Sequence, residues 1–168
     1  MSAVTLALLK SELQLDTDAE DTYLQALLDG VEDWIESEFG ILLSRQAVEE
    51  SLWGGERILY PTKVPIASIT SIELDGSTIS SSLYTLRGNM IVHDDEWEED
   101  FYDVTLSSGY STVPARVKSL ILALARRRYD ARGGPKQESA GGHSVSWRPL
   151  VETDEMRLLT DLAGGPPC

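Results

Sequence analysis

The sequence predicts an α+β fold: a small helical bundle of two N-terminal helices and a third long helix, with a small antiparallel β subdomain inserted before the third helix and an extended C-terminal tail. Three observations carry that prediction. Apolar residues recur at spacings of three and four over 19–39 and again over 114–132, the helical period. Between about 41 and 110 the period falls toward two and turn residues punctuate it. From 133 to 143 the chain is rich in Gly, Ser, Lys and Gln, the composition of a flexible linker, and a tail over 144–168 follows.

The elements follow in order. Thr5 can cap a short helix over 5–14 in which Leu6, Leu9 and Leu13 share a face. Asp16-Thr17-Asp18 breaks the chain and supplies carboxylates to the positive end of the next helix, 19–39. There Leu24, Leu27, Leu28, Val31, Trp34 and Ile35 form an apolar stripe, Asp29, Glu32, Asp33 and Glu36 an acidic face, and Gly40 a natural C-cap. Five or six short strands follow. Ser68–Leu74 alternates, with Ile69 out of step with Ile72 and Leu74, and Asp75-Gly76 makes a turn. Leu83–Leu86 and Met90–Val92 flank a second hairpin signal, Arg87-Gly88-Asn89. Tyr102, Val104 and Leu106 point one way while Asp103, Thr105 and Ser107 point the other. Pro61 and Pro65 belong at strand ends or on an edge. The third helix starts at Pro114 and runs to Arg132, with Val117, Leu120, Ile121 and Leu124 as its stripe. Arg128 falls on that same stripe, which predicts that the last turn projects beyond the core. Residues 1–132 thus read as one domain.

Charge narrows the function. The 168 residues carry 14 Lys and Arg against 28 Asp and Glu, a net charge of −14. Most of this surface repels DNA and anionic membranes. The excess lies in the first two thirds, whereas residues 113–168 carry more basic than acidic groups. The chain thus has two electrostatically different regions, which suits ordered assembly. The single cysteine, Cys168, excludes an intramolecular disulfide. The start lacks the pattern of a signal peptide, and the longest apolar run, Leu120–Ala125, is far shorter than the roughly 18 residues of a membrane span, so the expectation is an intracellular protein without membrane contact.

Catalytic patterns are scarce. No glycine-rich phosphate loop, nucleophile elbow or Ser-x-x-Lys pair occurs, and a two-histidine site would need both His93 and His143, the latter in the linker. The reading is therefore no enzyme, no cofactor and no resident metal. His93-Asp94-Asp95-Glu96 with Glu98-Glu99-Asp100 offers oxygen ligands, yet its spacing matches no calcium loop. It reads as a solvated acidic loop anchored by Trp97. The cations Arg126, Arg127 and Arg128, with Arg116, Lys118 and Arg132, read as partners for the acidic second helix of the same or a neighbouring subunit rather than for DNA. The tail places Val145, Trp147, Arg148, Leu150 and Val151, then Met156, Leu158 and Leu159, beyond the linker. Trp and Arg beside aliphatic residues suit docking on another protein, with folding back on the chain's own domain as the alternative.

The order of motifs resembles a known family. An acidic helix ends in Trp34-Ile35-Glu36-Ser37-Glu38-Phe39-Gly40. Then come Val64-Pro65-Ile66-Ala67-Ser68-Ile69-Thr70-Ser71-Ile72, closed by Asp75-Gly76, and next Tyr84-Thr85-Leu86. Val104-Thr105-Leu106-Ser107-Ser108-Gly109-Tyr110 leads to Pro114 and Val117-Lys118. Over about residues 4–132 this resembles the head–tail connector, or adaptor, proteins of tailed phages and gene transfer agents, in the form with a β insertion between helices. The resemblance implies a structural virion protein at the neck, made in the host cytoplasm. Such adaptors form a ring, usually of twelve subunits, beneath the portal, extend the DNA channel and dock the stopper or tail. DNA passes through without specific binding. The family's C-terminal segment reaches onto the portal, a role that would fall here to 144–162, with Trp147 and Leu150 as anchors. Asp29, Glu32, Asp33, Glu36 and Arg126–Arg128 are then the candidates for channel lining and subunit interface. Two other readings stand beside it: a monomeric α+β binding module or assembly factor whose tail folds home, and a stopper or tail-terminator ring.

Overall fold

Gly40 stands where helix gives way to sheet, with φ +64° and no room for a side chain, because a Cβ would run into the carbonyl oxygen of Thr62. The computed structural model describes residues 2–132 and 153–163; the linker and Val145, Trp147, Arg148, Leu150 and Val151 lie outside them. The chain divides into two compact units, one of residues 1–34 and 114–158, the other of 35–113 and 159–168.

The first unit is helical. α1 spans Leu6–Leu13, and the Thr5 hydroxyl accepts a hydrogen bond from the Leu8 N–H at 3.3 Å, the predicted cap. Gln14 turns left-handed (φ 57°), and the Leu15 N–H closes on the Lys10 carbonyl at 3.0 Å. α2 spans Asp21–Phe39, two residues shorter at its start than the periodicity suggests, because 18–21 form a turn closed by the Asp21 N–H on Asp18 O. Leu24, Leu28 and Val31 are fully buried. α3 spans Ala115–Ala131 and packs on α1 through a stripe of Val117, Leu120, Ile121, Leu124 and Ala125. Pro114 is the residue before the helix rather than its first residue, with extended backbone (ψ 147°) and no side-chain cap.

The last turn of α3 does not project. Tyr129 Oη donates to Glu20 at 2.7 Å, Arg132 binds the other oxygen of Glu20 at 2.6 Å, and the Arg132 guanidinium lies 3.9 Å from the Tyr129 ring centre. Arg128 lies beside α2, its Nη1 3.6 Å from where a Cβ on Gly30 would stand. Polar anchoring takes over where the apolar stripe ends. α4, Thr153–Ala163, follows after the undescribed segment.

The second unit holds seven strands, not five or six: β1 Gln46–Trp53, β2 Ile58–Leu59, β3 Ile66–Leu74, β4 Ser77–Thr78, β5 Tyr84–Arg87, β6 Met90–His93 and β7 Phe101–Ser108. They form two antiparallel sheets, ordered β1-β7-β3-β4 and β2-β6-β5. Both predicted hairpins are present, with Asp75 and Gly76 at positive φ between β3 and β4, and Gly88 at positive φ between β5 and β6. Pro65 precedes β3 and Pro61 follows β2, at strand ends as expected. Leu52, Leu59, Ile66, Ile72, Ile91, Trp97, Tyr102, Val104 and Leu106 make one core. β3 places Ile66, Ile69 and Ile72 on the inner side at steps of three, because two register shifts against β7 each insert a residue.

Alternation along β7 sends Tyr102, Val104 and Leu106 inward and Phe101, Asp103, Thr105 and Ser107 outward. Register then fills the outer face with Trp53 opposite Phe101, Ser51 and Glu73 on either side of Asp103, and Glu49 and Ser71 on either side of Thr105. Glu73 directly opposite Asp103 is a like-charge pair, which costs the sheet about 0.2–1 kcal/mol. Asp103→Lys turns it into an attractive pair. Chemical denaturation of the isolated variant should show stability raised by up to about 1 kcal/mol, and a fall would refute the repulsion.

Candidate assembly surfaces

The acidic face of α2 is half engaged. Glu32 Oε1 accepts from the backbone N–H groups of Ala3 and Val4 at 3.0 and 3.2 Å and from the Ser2 hydroxyl at 2.8 Å, fastening the chain's first residues. Glu36 accepts from the Leu43 N–H at 2.9 Å. These two predicted interface residues therefore serve the chain's own structure. Asp29 and Asp33 remain exposed, and Asp29 takes only a neutral donor, Gln25 at 2.8 Å. Glu32→Ala should release the Ala3 and Val4 amides to fast hydrogen exchange and cost about 1.5–3 kcal/mol, the range for bonds to a charged acceptor. Unchanged exchange at both amides would rule the clasp out.

Three of the basic residues, Arg126, Arg127 and Arg132, pair within the chain, and no ion pair to Asp29 or Asp33 of α2 occurs among the described residues. Arg126 reaches Glu12 of α1 at 2.9 Å, and Arg127 reaches Glu155 of α4 at 2.6 Å. Arg132 holds Glu20, just ahead of α2, at 2.6 Å. In the same turn Lys10 bridges Asp18 and Asp21, on either side of Glu20, at 2.6 and 2.8 Å. Exposed pairs of this kind contribute little singly and act mainly as positional pins. They do shift ionisation. Arg132, then Tyr129, hold the Glu20 carboxyl below its usual 4.5, and Lys10 holds Asp18 below 3.8. Asp18 and Asp21 push Lys10 above 10.5. Depressed carboxyls stabilise the fold above their ordinary values and lose that contribution as pH falls through the depressed ones. The raised lysine stabilises below 10.5 and loses its contribution as pH climbs through its folded value. Thermal melting should therefore fall below about pH 4.5, and Arg132→Gln should shrink that acid-side fall. An unaltered acid limb would exclude the Glu20 contact.

The tail prediction divides. Met156 is exposed and Leu158 half-buried, so both remain surface candidates. Leu159 does not: it is completely buried within the chain. Its side chain is occupied in intramolecular packing and is no partner anchor in this conformation. The tail expected to be extended is helical over Thr153–Ala163, and its sequence does not say whose surface that helix covers. Asn89 Nδ2 also donates to the Leu162 carbonyl at 3.5 Å.

The acidic loop is pinned by its own backbone. The Trp97 N–H donates to Glu56 O at 3.0 Å, and the Glu98 N–H donates to Tyr102 Oη at 2.9 Å. Trp97 is buried against the rings of His93, Tyr102 and Tyr84 at 4.7, 4.9 and 6.0 Å. His93 Nδ1 accepts from the Asp95 N–H at 3.1 Å. Among the described residues no three His, Cys, Asp or Glu converge as metal ligands.

A surface that sequence reasoning did not single out lies on the outer face of the β1-β7-β3 sheet. Trp53 and Phe101 are 55% and 58% exposed, their rings edge to face at 4.9 Å. Beyond them Glu49, Glu73 and Asp103 border a shallow hollow of about 540 Å³. None of the three carboxylates has an ion pair among the described residues. The signal was present as alternation in β7, but β1, with Glu49 and Glu50 side by side, hides its own.

Comparison with solved structures identifies the architecture. A chain from the neck of an empty gene transfer agent particle, computed with C6 symmetry, matches at TM-score 0.59 and 17% identity over 84% of this chain and 83% of that one. A chain from the native gene transfer agent virion matches at TM-score 0.62 and 16% identity over 95% and 89%. The chain has the fold of a gene transfer agent neck protein. A third match, from the native neck computed with C12 symmetry, gives TM-score 0.54 and 14% identity over 95% and 92%. No protein-family profile and no curated protein sequence matches the chain. The neck-protein fold agrees with the α+β prediction of helices carrying a β insertion.

Proposed function

We propose that the chain is a structural, non-enzymatic virion protein: a head–tail adaptor that forms a ring beneath the portal, extends the DNA channel and docks the stopper or tail. The observation that carries this reading is the fold shared with gene transfer agent neck chains over 83–95% of each chain, in necks treated with six- and twelve-fold symmetry. Charge supports it. A conduit for DNA must not hold its cargo, and exposed carboxylates such as Asp29 and Asp33 avoid the counterion-release affinity that a basic lining would create. A ring needs one face of each subunit to meet a different face of the next, which the uneven charge of this chain allows.

In this reading Trp147 and Leu150, with Val145 and Arg148, contact the portal, helped by Met156 and Leu158. The burial of Leu159 favours the competing reading in one respect, since a self-contained binding module would fold its own C-terminal helix home. One experiment separates the two. The mass of the purified chain is measured alone and with the particle's portal ring, for wild type and for the pair Trp147→Ala and Leu150→Ala. The adaptor reading expects a portal complex carrying one ring of this chain, weakened at least tenfold by the double substitution while the melting temperature stays unchanged. No association with the portal at any concentration overturns it in favour of the module.

A further inference from the structure

We propose that the outer face of the β1-β7-β3 sheet, from Trp53 and Phe101 to Glu49, Glu73 and Asp103, is the surface on which a second copy of this chain seats the leading end of its α3, with Arg116 and Lys118 against the carboxylates. The inference rests on the ring reading above and specifies which faces meet.

The sheet face is unsatisfied in the single chain in three ways. Two large aromatic side chains stand more than half exposed beside each other. Two carboxylates, Glu73 and Asp103, oppose each other across paired strands, with Glu49 nearby and no cation on any of the three among the described residues. Beside them runs β1, an edge strand of eight residues whose outer edge pairs with no other strand among the described residues. Local conflicts of this kind mark surfaces that are completed by something else.

Charge complementarity names the occupant. Toward the far end of α3, Arg126 is engaged with Glu12 and Arg127 with Glu155, and just past the helix Arg132 is engaged with Glu20. Arg116 and Lys118 have no ion-pair partner among the described residues, and they stand in the first turn, the positive end of the helix dipole, where cations are least welcome. That turn contains no acidic residue and has no side-chain cap. The two side chains leave opposite flanks of the helix, yet helical Cα–Cβ bonds tilt toward the N-terminus, so both reach past its end. An acidic, aromatic face and a doubly cationic, uncapped helix end are complementary, and both occur on this one chain. Trp53 and Phe101 add ring faces over which an arginine stacks. The contact joins unlike surfaces of two copies, the type that closes into a ring.

The test is a charge swap in the full-length chain. Three variants are made: Glu73→Lys with Asp103→Lys, Arg116→Glu with Lys118→Glu, and all four together. Copies per complex are counted by native mass spectrometry, with and without the portal ring, and folding is followed by circular dichroism. Each pair alone should lower ring occupancy at least tenfold, and the fourfold variant should recover most of it. The acidic-to-lysine pair should also stay folded, since it exchanges one like-charge pair for another on an exposed face of the sheet. Rings that form equally well from wild type and both paired variants overturn this contact and leave the ring reading intact. Loss of rings in both paired variants without recovery in the fourfold variant overturns the specific pairing. A wild-type chain that forms no ring, alone or on the portal, overturns the ring reading and this inference with it.

Discussion

β7 is the strand on which the β unit depends, because both of its edges are paired. β1 runs along one side through eight register pairs and β3 along the other. A strand held on both sides has no freedom to slip, since a shift of one residue would send Val104 and Leu106 into water and Asp103 and Thr105 into the core. That two-residue alternation fixes the inner face that packs with Leu52, Ile72 and Trp97. It equally fixes the outer one, where Phe101 and Asp103 meet Trp53 and Glu73. Core and surface are two readings of one strand.

In the helical unit the corresponding constraint is electrostatic. The chain carries twice as many acidic as basic side chains, so each cation has a disproportionate effect on position. Lys10 ties the turn between α1 and α2, Arg126 ties α3 to α1, and Arg132 with Tyr129 ties the end of α3 to Glu20. The apolar stripe of α3 ends near Ala125, and these contacts hold the helix beyond it. Glu32 does similar work by another route, binding backbone amides instead of cations.

Much of this was legible in the sequence, and the misses have specific causes. Helical periodicity located α1, α2 and α3 to within two residues, and the Asp-Gly and Gly-Asn turns located both hairpins. β3 was harder, because its two bulges space Ile66, Ile69 and Ile72 as a helix would. β1 escaped because its adjacent glutamates break the alternation: Glu49 lies on the outer face, and Glu50, on the opposite one, is satisfied by the N–H and hydroxyl of Thr62 at 2.8 and 2.6 Å. Arg128 on the apolar stripe pointed to a projecting helix end, whereas a glycine at position 30 of α2 leaves room beside it. Such an accommodation belongs to a second element and leaves no mark in the sequence of the first. The same limit applies to the candidate surfaces. Sequence found the charged residues, but only tertiary structure tells Glu32, which holds backbone, from Asp29, which does not, and only packing reveals that Leu159 faces inward.

The carboxylates on the outer sheet face also act on encounters between identical surfaces. Two copies brought together through this face about a two-fold axis would set Asp103, Glu73 and Glu49 against their own images, in a chain that already carries a charge of −14. The exposed edge of β1 and its aromatic neighbour Trp53 would otherwise invite such back-to-back pairing, the usual hazard of an open sheet. Repulsion of like by like thus guards the edge against stray dimers and aggregates while leaving it open to an oppositely charged visitor.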